Sequence, residues 1–196
     1  MKKLLGLFTA LLLTLGLVGC GNDSTDPEPK PDPEPVGPVA DSYYHEFKAG
    51  DLEKEGGSKE INGLTWNYGE ATYIGFDATK GIQIGSSKKP VKEINFEASF
   101  PTEATITDFQ IELSVAASGK ASYTILFGDH TKTAEFKNTD VAAISEDNLE
   151  VKANSFKLTL KATAKAMYIK SIGFTAIHDG DWDLKTDGGS NDGDTG

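Results

Sequence analysis

A chain of 196 residues is long enough for one domain with a sizeable buried core. Its 19 basic residues, all lysine, face 30 acidic ones for a net charge of −11, a balance that repels polyanions at long range and lacks the arginine fork that suits phosphate; autonomous nucleic-acid binding is disfavoured. Cys20 is the single cysteine, which excludes an intrachain disulfide and leaves stability to the core.

The N-terminus opens Met1-Lys2-Lys3 and continues as a largely apolar run over residues 4–18. A positive start, a short apolar stretch and a small residue before a cleavage point make a secretory signal, too short to be a good membrane-spanning helix. The run ends Leu17-Val18-Gly19-Cys20, which resembles a bacterial lipobox. That resemblance implies a signal peptide over residues 1–19, cleavage after Gly19 and a diacylglyceryl group on Cys20. Two acyl chains on one residue anchor stably where one binds only marginally. The expected location is extracytoplasmic, lipid-anchored at a cell membrane or outer surface. Without Lys2 and Lys3 the charge moves from −11 to −13.

Residues 20–39 read as the lipidated cysteine and a Pro/Glu-rich linker. The stretch Asp26-Pro-Glu-Pro-Lys-Pro-Asp-Pro-Glu-Pro35 forms neither helix nor ladder, because alternate prolines fix φ and remove donors. It is expected to be disordered or polyproline-like, and residues 22–39 together have a reach of roughly 50 Å at about 3.1 Å per residue.

Residues 40–178 then show strand signals. Residues 43–48 are short and aromatic, 64–68 alternate, and 72–76 and 81–85 follow, the last bracketed by Gly81 and Gly85. Residues 93–100 put Ile94, Phe96, Ala98 and Phe100 on one face. In 109–115, Phe109, Ile111, Leu113 and Val115 do the same. Residues 123–127 run through the Gly128-Asp129 turn into 131–136. Residues 156–162 alternate again, and 166–177 change phase near Lys170-Ser171, as at a β-bulge. One weak helical candidate lies at 141–148. About ten short strands with turns between them predict an all-β fold: an antiparallel β-sandwich, jelly-roll-like, with a wet outer face on each sheet. Residues 179–196, rich in glycine and aspartate, are expected to be a disordered acidic tail.

Several segments resemble a non-catalytic β-sandwich module of secreted bacterial proteins. They are a strand carrying Trp66, Gly81-Ile-Gln-Ile-Gly85-Ser86, Ile94-Asn-Phe96, a looser match at Ile125-Leu-Phe-Gly128, and the closing Ala166-Met-Tyr-Ile-Lys-Ser-Ile-Gly-Phe174. The likeness covers residues 64–177. That module occurs in surface lipoproteins and attached to extracellular endonucleases and other hydrolases. The resemblance implies a β-sandwich and no catalytic residue. Nuclease activity does not carry over, because no nuclease sequence is visible.

Catalytic signatures are sparse. His45, His130 and His178 stand isolated, with no H-E-x-x-H or H-x-H pattern and no G-x-S-x-G elbow. The 81–85 glycines lie within strand signals and have no helix to receive phosphate. Asp179, Asp181 and Asp183 alternate like the opening of a calcium loop. Leu184 stands where that loop needs glycine, and Ser190 where it needs glutamate. The expectation is a non-enzyme with no cofactor and no metal site. Planar rings that could stack on sugars single out Trp66, Tyr68 and Trp182 as candidate ligand residues, with Tyr73 beside them. The spacing of Trp66 and Tyr68 suits a core pair equally well. The expected role is a membrane-anchored binding or interaction module whose partner is a glycan or surface protein. The alternatives are a dedicated carbohydrate-binding module and an accessory module of an extracellular nuclease or hydrolase.

Overall fold

The computed structural model describes residues 37–185. Cys20, the signal, the spacer as far as residue 36, and residues 186–196 lie outside the described residues. Among those described no helix forms, and none is long and apolar enough to cross a membrane.

Eleven strands follow in order: β1 (Val39–Glu46), β2 (Gly57–Ile61), β3 (Leu64–Tyr68), β4 (Ile74–Asp77), β5 (Gly81–Ile84), β6 (Ile94–Val115), β7 (Lys120–Phe127), β8 (His130–Phe136), β9 (Ala142–Glu146), β10 (Val151–Ala164) and β11 (Met167–His178). Every pairing is antiparallel. The fold is all-β, as the alternation predicts.

The long strand β6 organises two layers. Its first part pairs with β3 and β10, through Phe96–Ala98 and Ile94–Ser99. Its second part pairs with β11 and β9. Pro101 stands between the parts, and β10 shifts register beside it, between Ala153 and Ser155. A proline and a bulge are the devices by which one strand turns a corner between sheets. The back sheet thus runs β2-β3-β6-β10-β7-β8, and the front sheet β4-β5-β11-β6-β9 with β1 alongside β11.

Rings from strands that do not pair prove the layers to be stacked. Phe109 of β6 meets Phe127 of β7 at 5.9 Å between centroids, and Phe174 of β11 meets Phe127 at 5.9 Å and Phe156 of β10 at 6.2 Å. Tyr43 stacks on Phe174 at 5.1 Å. The buried core runs from Tyr43 to Trp182, with Leu184 packed against it, so the described segment carries a core of its own.

Four expectations change in detail. Residues 93–100 and 109–115 form a single strand, because β10 pairs with it on both sides of the Pro101 corner, at Ile94–Ser99 and Ala104–Ile106. Residues 141–148 hold β9 where a weak helix was anticipated: the edge of β6 at Phe109–Leu113 offers partners, and pairing overrides weak local preference. The edge strand β2 is additional. The ordered chain also continues past residue 178, to 185: Trp182 is buried and Lys185 N donates to Asn62 O at 3.1 Å. The anticipated phase change in the last strand is present, between Ile169 and Ser171.

Candidate functional site

The aromatic residues singled out from the sequence lie inside. Trp66 is 3% exposed; its Nε1 donates to Tyr43 Oη at 2.8 Å, and its ring meets Phe156 edge-on. Tyr68 is 9% exposed and its hydroxyl accepts from Glu53 N at 3.2 Å. An outward pair of rings on β3 is therefore not built: both point to the core, and Thr65 and Asn67 face water. Trp182 is 8% exposed and closes one end of the sandwich. It stacks on His178 at 3.9 Å with 6° between planes, lies 5.3 Å from Phe100, and donates from Nε1 to Thr102 Oγ1 at 3.0 Å. None of the three presents a ring face for a sugar.

The histidines form separate pairs. His45 Nε2 lies 2.8 Å from Asp51 Oδ2, His178 Nε2 lies 3.1 Å from Asp41 Oδ2, and His130 lies 3.5 Å from Glu146. His130 opens β8 and is partly covered. Asp179, Asp181 and Asp183 are exposed. Among the described residues no group of three or more His, Cys, Asp or Glu side chains could hold a metal ion.

The two outer faces differ in kind. On the back sheet the outward residues satisfy one another. Lys161 pairs with Glu93 at 3.0 Å, Lys157 with Glu97 at 3.8 Å and Lys152 with Glu103 at 3.4 Å. Thr159 donates to Asn95 Oδ1 at 2.6 Å, and Thr124 and Thr133 bond across the ladder at 2.9 Å. Glu93 is held below the ordinary carboxylate range by its hydrogen bond from Lys161.

The front sheet carries a different inventory. Its rows, read across the strands, are Gly75-Gln83-Tyr168-Ser114, then Glu46-Ser171-Glu112, Tyr44-Gly173-Gln110-Ser145, and Ser42-Thr175-Asp108. The bulge at Lys170 decides this face, since it returns Ser171, Gly173 and Thr175 to the same side as Tyr168. Two rows contain a glycine with a tyrosine over it. A Cβ at Gly173 would stand 3.1 Å from Tyr44 Cδ2; one at Gly75 would stand 2.9 Å from both Cε1 and Oη of Tyr73. Neither glycine has positive φ, so what these positions require is room for a ring rather than backbone freedom. Tyr73 remains 41% exposed.

Polar groups border these rings. Gln83 Nε2 donates to Gly85 O at 2.9 Å, and no described residue donates to its Oε1. Lys80 Nζ sits 5.3 Å from the centre of the Tyr168 ring and donates to Thr139 O at 2.6 Å. Burial first, then the negative charge of Asp77 and the neighbouring Tyr73, push the Tyr168 hydroxyl above its ordinary range, so it remains a neutral hydrogen-bonding phenol. A shallow trough of about 180 Å³ runs beside Tyr44, Gln110, Asp108 and Thr175.

A second concavity, about 420 Å³, opens between β8 and β9, which do not pair with each other. Leu113, Tyr123, Phe136 and Ile144 floor it, and Glu135 and Lys137 stand at its rim. Beside it, Glu146 bonds Lys132 at 3.0 Å, which lowers the carboxyl below its ordinary range despite partial burial.

No family model matches the chain, and no curated protein matches it. Solved structures with some likeness include the C-terminal CBM6 of LamC, a marine laminarinase from Zobellia galactanivorans, at 11% identity over 69% of this chain and 99% of that one, with a TM-score of 0.39. The CBM22-1 xylan-binding domain of Paenibacillus barcinonensis Xyn10C gives 12%, 74%, 100% and 0.38 for the same quantities. A CBM36 module in complex with calcium and xylotriose gives 14%, 53%, 89% and 0.36. No residue role follows from overlaps this loose.

Proposed function

We propose that the chain is a lipid-anchored, extracytoplasmic binding module without a catalytic role, and that it holds a glycan on the outer face of its front sheet. One observation carries the glycan reading. Ring atoms of Tyr44 and Tyr73 stand over the outward Gly173 and Gly75, beside Gln110, Gln83 and Tyr168, whereas the opposite face is closed by its own ion pairs. A sugar ring needs a flat apolar surface bordered by donors and acceptors, and this face supplies both. Titrating the soluble chain from residue 37 with an array of polysaccharides tests it. Binding that Tyr44→Ala or Tyr73→Ala weakens, with the melting temperature retained, is the expected result; the absence of any bound glycan removes the reading.

Support for the anchor comes from the Leu17-Val18-Gly19-Cys20 sequence and the spacer behind it. Cys20→Ala is expected to abolish incorporation of labelled fatty acid and to release the chain from the membrane fraction. A protein partner is favoured by a separate feature: β8 and β9 each leave one edge unpaired beside the apolar cleft between them, a setting open to strand addition. An accessory role beside a hydrolase would use the same glycan-holding face.

A further inference from the structure

Charge is not spread evenly over this acidic chain. Residues 78–92 contain Lys80, Lys88, Lys89 and Lys92 and no aspartate or glutamate. Many lysines elsewhere have carboxylate partners: Lys59, Lys132, Lys152, Lys157, Lys161, Lys170 and Lys185 all lie within 4.0 Å of one. Among the described residues no carboxylate stands within that distance of the four in 78–92. Lys88, Lys89 and Lys92 are exposed.

The fold brings these lysines to Tyr73 from two sides. Gly85 N donates to Tyr73 O at 2.8 Å, and Thr72 Oγ1 donates to Lys89 O at 2.9 Å, which fixes the Lys88-Lys89 turn against the backbone that carries the ring. The turn is closed by Ser86 N to Lys89 O at 2.9 Å and by Lys89 N to Ser86 Oγ at 3.0 Å. On the other side, Lys80 reaches over Tyr168, one row position from Gln83 and two from Gly75. Of the two acids that bracket this segment, Asp77 turns its carboxylate to the amides of Thr79 and Lys80 at 2.8 and 3.0 Å, capping its own turn, and Glu93 pairs with Lys161 at 3.0 Å. Glu55 and Glu70 line a separate concavity with Lys54, Ala71 and Thr72.

We propose that Tyr73, Gln83 and the lysines at 80, 88 and 89 form a subsite for an acidic glycan, one carrying carboxylate or sulfate groups. This rests on the glycan reading of the front sheet and narrows it. The exposed Tyr73 face takes the apolar side of a sugar ring, Gln83 Oε1 accepts from a ring hydroxyl, and the ammonium groups on either side take the anionic substituents. Lysine suits such a ligand, because a flexible point charge matches anionic groups of variable spacing and no bidentate fork is required. The domain's acidic surface elsewhere directs a polyanion to this one segment.

The chain from residue 37 onward is titrated calorimetrically with polygalacturonate, a sulfated galactan, neutral xylan, neutral β-glucan and a DNA duplex, each at low and at high salt. Acidic glycans are expected to bind tighter than neutral ones, and salt is expected to weaken them. Relative strength on the carboxylated and the sulfated polymer identifies the anionic group. Gly75→Ala, which displaces the Tyr73 ring while leaving the core alone, is expected to cost about tenfold in affinity, as is Tyr73→Ala. Lys88→Gln with Lys89→Gln is expected to weaken only the acidic ligands and to flatten their salt dependence. Equal binding of neutral and acidic glycans, unmoved by the lysine variants, overturns the acidic subsite and leaves the glycan reading standing. DNA held as tightly as the acidic glycans, indifferent to Tyr73→Ala, overturns it in favour of simple polyanion exchange. Binding of no glycan at all overturns both.

Discussion

Trp182 separates two roles for an aromatic ring near the end of a domain, and the structure assigns it the mechanical one. Its indole lies parallel on His178, touches the Phe100 ring, and donates to Thr102. Beyond it, Asp183 O occupies the space that a Cβ of Gly63 would need, and Lys185 N bonds Asn62 O. Residues 179–185 are thus a strap across the β2–β3 turn and the Pro101 corner. Burying a tryptophan withdraws about 200 Å² from water, worth at most about 5 kcal/mol at ~25 cal/mol/Å². A terminal strap can peel away without opening β1–β11, so Trp182→Ala is expected to cost about 2–3 kcal/mol, below the usual core tryptophan deletion. For a domain of about 150 residues that lowers the melting temperature by about 4–12 °C. Thermal unfolding followed by near-ultraviolet circular dichroism measures it, with Trp182→Phe as an intermediate case that keeps an aromatic ring and loses the hydrogen bond. A melting temperature within about 1 °C of the parent, together with lost glycan binding, would refute the strap and make Trp182 a ligand residue.

Gly63→Ala tests the same strap from the other side: φ is +84° and the new methyl meets Asp183 O, so a loss of stability of at least about 1 kcal/mol is expected, with faster proteolysis after residue 178. Glu146 tests the link between β8 and β9. Its folded-state value lies below the ordinary 4.5, chiefly through the bond from Lys132, with His130 adding to it; a depressed carboxylate contributes stability that is present above its unfolded value and lost as pH falls through the folded one. Glu146→Gln should therefore flatten the melting-temperature profile as pH falls below the ordinary carboxylate value, while changing it least in strong acid. Tyr168 has the opposite sign: its folded value is raised above 10.0 by burial and by Asp77, so its contribution is complete below the unfolded value and lost as pH rises through the folded one. Ultraviolet titration should show a late ionisation that is lost in Tyr168→Phe and moves earlier in Asp77→Asn.

Strands whose two faces differ sharply were legible in the sequence: 64–68 coincides with β3, and 81–85 with β5 give or take a residue. Pro101 hid the continuity of β6, because a proline between alternating runs reads as a turn, and here it is a corner. The edge strand β2, Gly-Ser-Lys-Glu-Ile, carries too little apolar signal to be seen without its partner β3. The rings at Trp66 and Tyr68 were visible, but period two is the same for a core face and an exposed platform, and only the pairing of β3 with β6 decides between them. Tyr73 was visible as an aromatic candidate. Its neighbours Tyr168 and Gln83 were not, because the face of Tyr168 depends on how a bulge two residues on divides β11. The lysine segment 78–92 could have been found from charge alone, by noting fifteen residues without an acid in an acidic chain.

The position of the tyrosine row along β11 bears on how the domain would be used. Val39, where the spacer joins the domain, pairs with His178 at one end of the strand. Tyr168, Gln83 and Gly75 form their row at the other end. Ten residues of strand separate Tyr168 from His178, roughly 33 Å at about 3.3 Å per residue. The strap with Trp182 occupies the spacer end, where it reinforces the junction between β1 and β11. On the lipid-anchored reading, the attachment lies at the Val39 end, where the strap and the His178–Asp41 pair also lie. The Tyr168 row lies at the other end of β11 from Val39, and the Tyr44 row lies midway between them. On the proposed readings, attachment and the Tyr168 row lie at opposite ends of one continuous strand, and an extended acidic spacer would add reach.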